Sequence, residues 1–241
     1  LIPLWLSLMG VLALGSWLLS LYGEGEVQSL LSAEGLRHEA RSAVRQYMAC
    51  PELALYLVLA PGLGLAWGSG WPSALRRLFV RRSPSMDGSV PALTRRERRS
   101  LNWAHAMLLL SLVLMLLTVV GPWTTLRGVS GTLWPSPFLQ GLPLFVSLAL
   151  ALTGWIYGYT TGRFRKYADI CRSLERPLRR GAAYPIHLFL VVRLFGQFSY
   201  TRLPDVWGLP AAALPIAFHV VALTLLIYIM YRSRAEEPQA R

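Results

Sequence analysis

Six apolar stretches, each closed by charge, divide the chain: residues 1–22, 53–71, 101–120, 139–161, 182–198 and 206–231. About 20 apolar residues in a helix, at roughly 1.5 Å rise each, cross the ~30 Å hydrocarbon core of a bilayer. This pattern predicts an all-α, polytopic helix bundle of about six transmembrane helices in a single membrane domain covering residues 1–241. The most sharply marked stretch starts at Ser136 and Pro137, runs uncharged from Leu139 to Thr161, and stops at Arg163, Arg165 and Lys166. The second stretch is broken by Pro61 and several glycines, and the fifth is short and carries His187, Arg193 and Gln197.

Between the first two stretches the pattern changes. Val27, Leu30, Leu31, Ala40, Val44, Tyr47 and Met48 fall near helical spacing while Arg37, Arg41 and Arg45 form a stripe. An amphipathic helix on the membrane surface or over the bundle is expected there, with a solvated connector as the alternative.

Composition agrees with the bilayer as solvent. Of 241 residues, 54% are hydrophobic and 15% charged, with mean hydropathy +0.43. The net charge of +12 would suit nucleic acid in a soluble protein, but no groove-reading motif is present and the charge sits in loops between apolar runs. Lys and Arg in the successive connectors number three, eight, one, seven and one, with three in the tail. That alternation predicts both termini in the cytoplasm, with residues 72–100 and 162–181 as cytoplasmic basic loops. The first of these, with Arg pairs at 76/77, 81/82, 95/96 and 98/99 around a Ser/Pro/Gly-rich middle, reads as a topology-setting loop or as a surface for anionic headgroups or an acidic partner. The run from Leu1 to Tyr22 lacks a basic n-region and a small-residue cleavage site, so it reads as a first membrane helix and not a secretory leader.

Candidate chemistry is sparse. Cys50 and Cys171 are too far apart for a metal site or disulfide framework and are expected as free thiols on opposite faces. His38, His105, His187 and His219 lack metal-ligand spacing, and no GxSxG, HExxH, CxxC or phosphate loop occurs, so no enzyme, metal site or cofactor is expected. Gly64 and Gly68, and likewise Gly154, Gly158 and Gly162, lie four apart, where small residues let helices approach closely; a broken helix lining a substrate site is the alternative near Pro61. Arg193 stands in an apolar stretch at a cost of roughly 2.5–3.5 kcal/mol and must face protein, water or an anion. With no acidic residue within the six stretches, Arg193, Gln197 and Tyr157 are the candidates for contact with a small organic anion; snorkelling or carbonyl contacts are the alternative for Arg193.

Several consecutive pieces carry a family resemblance: GEGEVQSLLSAEGLRHEARSAV continuing to LGLAWGSGWPSALRRL, RRERRSLNWA, SPFLQGLPLF with IYGYTTGRFRKYADI, and FSYTRLPDVWG. Their succession resembles the p-aminobenzoyl-glutamate transporter (AbgT) family. The resemblance implies a bacterial inner-membrane transporter moving an aromatic-acyl glutamate or a sulfonamide-like antimetabolite on an ion or proton gradient. It also implies a shortened member, since the family's two re-entrant hairpins have no counterpart in this sequence. No family site residue can be carried over, and a Gln-rich family position in the fifth stretch matches Arg193. The expected partners are the lipid bilayer, a small organic anion, and either further copies of the chain or a membrane partner protein. The alternative is a transport-inactive scaffold or accessory subunit keeping the family framework.

Overall fold

The computed structural model describes residues 1–22, 27–80, 93–120 and 136–236. Arg81, Arg82, the Ser/Pro/Gly-rich middle of the 72–100 loop, Arg127 and Arg241 lie outside them. Among the described residues there is no strand, in keeping with the all-α expectation. The helices are α1 (Ile2–Tyr22), α2 (Ala33–Met48), α3 (Pro51–Ser69), α4 (Trp71–Val80), α5 (Arg95–Val120), α6 (Pro137–Thr161), α7 (Tyr167–Arg180), α8 (Tyr184–Tyr200), α9 (Leu203–Val206) and α10 (Ala213–Glu236). Among the described residues five helical stretches are long and apolar enough to cross a membrane: α1, the Ala33–Ser69 stretch that contains α3, α5, α6 and α10. The 17-residue α8 occupies the fifth apolar stretch.

The chain forms two compact units, one of residues 1–54 and 180–241, the other of residues 55–179. In the first, α8 is the shared neighbour of α1, α2 and α10, and Leu188 and Val191 on it are fully buried. The amphipathic helix expected before residue 50 is present as α2. Ser32 caps it by accepting the Gly35 N–H at 3.0 Å, and buried Ser16 of α1 accepts the Leu30 N–H at 3.2 Å, tying the entry of α2 to the first helix. Along α1 and α10 large apolar side chains such as Val11, Leu14, Ile216 and Val220 remain exposed, which is stable only where lipid replaces water.

In the second unit α5 and α6 pack against each other and α4 touches both. Ala74, Leu101, Ala104 and Tyr157 form a buried cluster, lined by Trp71, Leu75, Leu78 and Leu93. The first part of the basic 72–100 segment, expected as loop, is helical because Trp71, Leu75 and Leu78 recur on one side and pack on that cluster. The 162–181 loop likewise contains α7, whose Ser173 and Pro177 are buried while Arg172, Glu175, Arg176 and Arg179 are exposed.

Local sequence sets the helix ends. Thr94 and Glu97 form a reciprocal capping box at α5: the Thr94 N–H donates to the Glu97 carboxylate at 2.9 Å, and the Glu97 N–H donates to Thr94 Oγ1 at 3.2 Å. Arg77 of α4 donates to the same carboxylate at 2.9 Å. At α6, Ser136 caps and Pro137 takes the first turn, where its missing N–H costs nothing. The other end closes at Gly162, at φ +79°, a left-handed conformation that a Cβ would strain.

Candidate functional site

The residues singled out from the sequence separate into three local structures. The first is a buried polar group between α2 and α8. Helical spacing places Glu39, Ser42 and Gln46 of α2 and Arg193 and Gln197 of α8 on facing stripes. Arg193 forms an ion pair with Glu39. Its Nη1 donates to Gln46 Oε1 at 3.1 Å and to Ser42 Oγ at 3.3 Å. Gln197 Nε2 donates to Glu39 Oε2 at 3.3 Å. The Arg193 side chain is 4% exposed and that of Glu39 23%, so the charge is neutralised largely out of solvent.

This corrects the reading of Arg193 as a cation lacking an acidic partner. The partner lies outside the apolar stretches, on the amphipathic helix α2. Two oxygens of the group, Glu39 Oε1 and Gln197 Oε1, are buried without a hydrogen-bond partner among the described residues. Beside them His38 stacks on Tyr200, with ring centroids 4.3 Å apart. A carboxylate, a guanidinium and two amides in one buried place can exchange hydrogen-bond partners with an incoming polar group.

The second structure is the small-residue seam of the 55–179 unit. A Cβ on Gly154 of α6 would lie 2.6 Å from the backbone of Leu65 and Ala66 in α3. Gly62 faces the Ser147 backbone, and Gly64 and Gly68 face Ser173 of α7. Each meets a neighbouring helix more closely than a side chain allows. Tyr157 is 1% exposed, in the core of this unit.

The third is the turn from α6 into α7. Phe164 folds back over Gly158, where a Cβ would run into its ring, and the Arg163 and Phe164 N–H groups both donate to the Gly158 carbonyl, at 2.8 and 3.1 Å. Asp169, in the first turn of α7, accepts the Lys166 and Arg165 N–H groups at 3.0 and 3.2 Å. Those donors, the Lys166 N–H foremost and with help from the Arg172 charge, hold its carboxyl below the ordinary Asp value. The GRFRKYAD sequence is therefore a folded connector.

The histidines have local partners. His219 pairs with Glu52, whose other oxygen accepts the Cys50 thiol at 3.0 Å, and His105 lies edge-on to Trp71. Both cysteines are free. Among the described residues no cluster of three His, Cys, Asp or Glu side chains could hold a metal.

Residues 85–233 match the model of the "AbgT putative transporter family". The chain belongs to the AbgT family. It is 25% identical over 118 residues to the p-aminobenzoyl-glutamate transport protein of Escherichia coli K12, a match covering 48% of this chain and 23% of that one; the chain spans about a quarter of the relative's length. Two solved structures share the fold. The YdaH transporter of Alcanivorax borkumensis aligns with TM-score 0.73 and 18% identity, over 84% of this chain and 71% of that one. MtrF of Neisseria gonorrhoeae, whose structure is described as illuminating a class of antimetabolite efflux pumps, aligns with TM-score 0.75 and 16% identity, over 85% and 70%. This AbgT-family chain is thus a multi-pass protein of the bacterial inner membrane, and its family points to transport.

Proposed function

We propose that this chain takes part in moving small organic anions across the inner membrane, as a transport protein and not an enzyme. Family membership carries this reading, and the E. coli relative supplies the substrate class, a p-aminobenzoyl-glutamate. In the proposed topology one membrane domain of six spans has both termini cytoplasmic, supported by the alternation of basic and nearly uncharged connectors. Arg193 is the proposed anion contact. A substrate carboxylate would displace Glu39 from the guanidinium, which recognises carboxylates through paired N–H donors, and Gln197 would donate to the same oxygen. Tyr157, packed in its own core, is left to structure. A homo-oligomer completing the pathway is part of the proposal.

Proteoliposomes holding the purified full chain test it. Flux of radiolabelled p-aminobenzoyl-glutamate is expected, reduced at least tenfold by Arg193→Leu and partly kept by Arg193→Lys, while Glu39→Gln alters apparent affinity. A well-folded preparation with no flux under any imposed ion or proton gradient would overturn the transport reading in favour of the scaffold. Reporters fused near Arg127 and near Arg165 should lie on opposite sides; the same sidedness would overturn the topology.

A further inference from the structure

Within the unit of residues 1–54 and 180–241, a cavity of about 420 Å³ lies away from the Arg193 group. Its polar wall comes from Arg180, His187, Arg232 and Ser233, and its apolar wall includes Ile2, Pro3 and Ile229, with Tyr228 also lining it. The volume falls in the range of small-ligand sites, roughly 300–1,000 Å³.

Three features narrow the ligand. First, the polar wall carries two guanidiniums and an imidazole, with no Asp or Glu among the described lining residues, a wall suited to an anion. Arg180 and Arg232 also engage protein neighbours, but a guanidinium carries five N–H donors and can serve more than one acceptor. His187 Nδ1 donates to the Ala183 carbonyl at 2.8 Å, which in the neutral ring makes Nε2 an acceptor for a hydroxyl.

Second, the cavity lies where an apolar helix ends. Arg232 follows the last apolar turn of α10. Such an end sits at the depth of lipid headgroups, where Tyr and Arg side chains gather. Third, the outer faces leading from the cavity are apolar and uncovered: Leu4, Leu6 and Leu8 on α1, and Leu223 and Ile227 on α10, are all more than 40% exposed. A small soluble anion would use the guanidiniums and leave that apolar wall in water. A diacyl phospholipid uses both, with its phosphodiester at the basic wall and its acyl chains along the helices.

We propose that this cavity, between the start of α1, the start of α8 and the end of α10, binds the phosphodiester headgroup of an anionic phospholipid bearing free hydroxyls, of the phosphatidylglycerol type. Arg180 and Arg232 hold the phosphate, His187 meets the headgroup hydroxyl, and Tyr228 lies beside the glycerol backbone. Basic pockets between membrane helices recognise anionic headgroups by this chemistry.

The test uses the delipidated full chain in detergent, with bound lipid counted by native mass spectrometry and thermal stability read in parallel. Dioleoyl-phosphatidylglycerol should be retained on the order of tenfold over dioleoyl-phosphatidylcholine, as two arginines at a surface provide. The preference should disappear in Arg180→Gln/Arg232→Gln. It should also disappear in Ala183→Trp, which fills the cavity and keeps both charges. Millimolar inorganic phosphate or glycerol phosphate should neither displace the lipid nor raise the melting temperature. Equal retention of the two lipids overturns the proposal, as does a preference that survives both variants. Displacement by glycerol phosphate overturns the lipid in favour of a soluble anion. Should either variant fail to fold, the wild-type comparison of the two lipids and the soluble anions decides alone. None of these readouts depends on flux, so they stand apart from the transport proposal.

Discussion

Glu39 and Arg193, 154 positions apart in the sequence, form an ion pair that fastens the amphipathic α2 to the apolar α8. Removing one partner of a buried pair leaves the other charge uncompensated, at roughly 3–5 kcal/mol, whereas replacing both with apolar groups is often neutral. Glu39→Leu and Arg193→Leu should therefore each lower the melting temperature in detergent markedly, and the double variant should recover much of the loss. Strictly additive losses in a double-mutant cycle would show that the two side chains do not depend on each other.

The seam of small residues makes a steric prediction. Gly154→Val should destabilise the chain by about 1–3 kcal/mol, because α3 backbone occupies the space its side chain needs. Gly15→Ala, with nothing within 4 Å of the added carbon, is the control and should leave the melting temperature within a degree or so of wild type. Thermal unfolding followed by circular dichroism compares them directly.

Asp169 gives the pH dependence. Its folded-state pKa is lowered, first by the Lys166 N–H, so the carboxylate stabilises the fold fully above its unfolded value of about 3.9 and the contribution is lost as pH falls through the folded value. Asp169→Asn should melt below wild type at pH 7, and the gap should close as the pH is taken below about 3.9. A gap of constant size across that range would assign the difference to something other than ionisation.

The two thiols should react differently. Cys50 is 6% exposed and donates to Glu52, while Cys171 is partly accessible. Maleimide should modify Cys171 first in detergent-solubilised protein, and Cys171→Ser should remove the fast phase seen by intact-mass measurement.

The long apolar helices and the amphipathic α2 were legible in the sequence, whereas Gly162, read there as a packing glycine, closes α6 as its cap. Those helices depend on residues within a few turns or on a property of one face. Glu39 was not legible as the partner of Arg193, because a contact across 154 positions leaves no local trace and the acid stands among polar neighbours. For α4 and α7, the density of arginine hid the inward side: apolar Trp71, Leu75 and Leu78 in one, the small Ser173 and Pro177 in the other. Tyr157 is fully buried, which its spacing did not show, since spacing marks a helix face without saying what that face meets.

Pro177 sits inside α7, where its missing N–H leaves the Ser173 carbonyl without its helical donor. That carbonyl is turned toward Gly64 of α3, and the Tyr56 hydroxyl, one helix face along, donates to the carbonyl of Pro177 itself at 3.3 Å. A flaw in one helix has thereby become a docking register for another. Gly64 and Pro177 should behave in evolution as a single heritable unit: a larger residue at 64 is tolerable only where α7 has first regained its N–H.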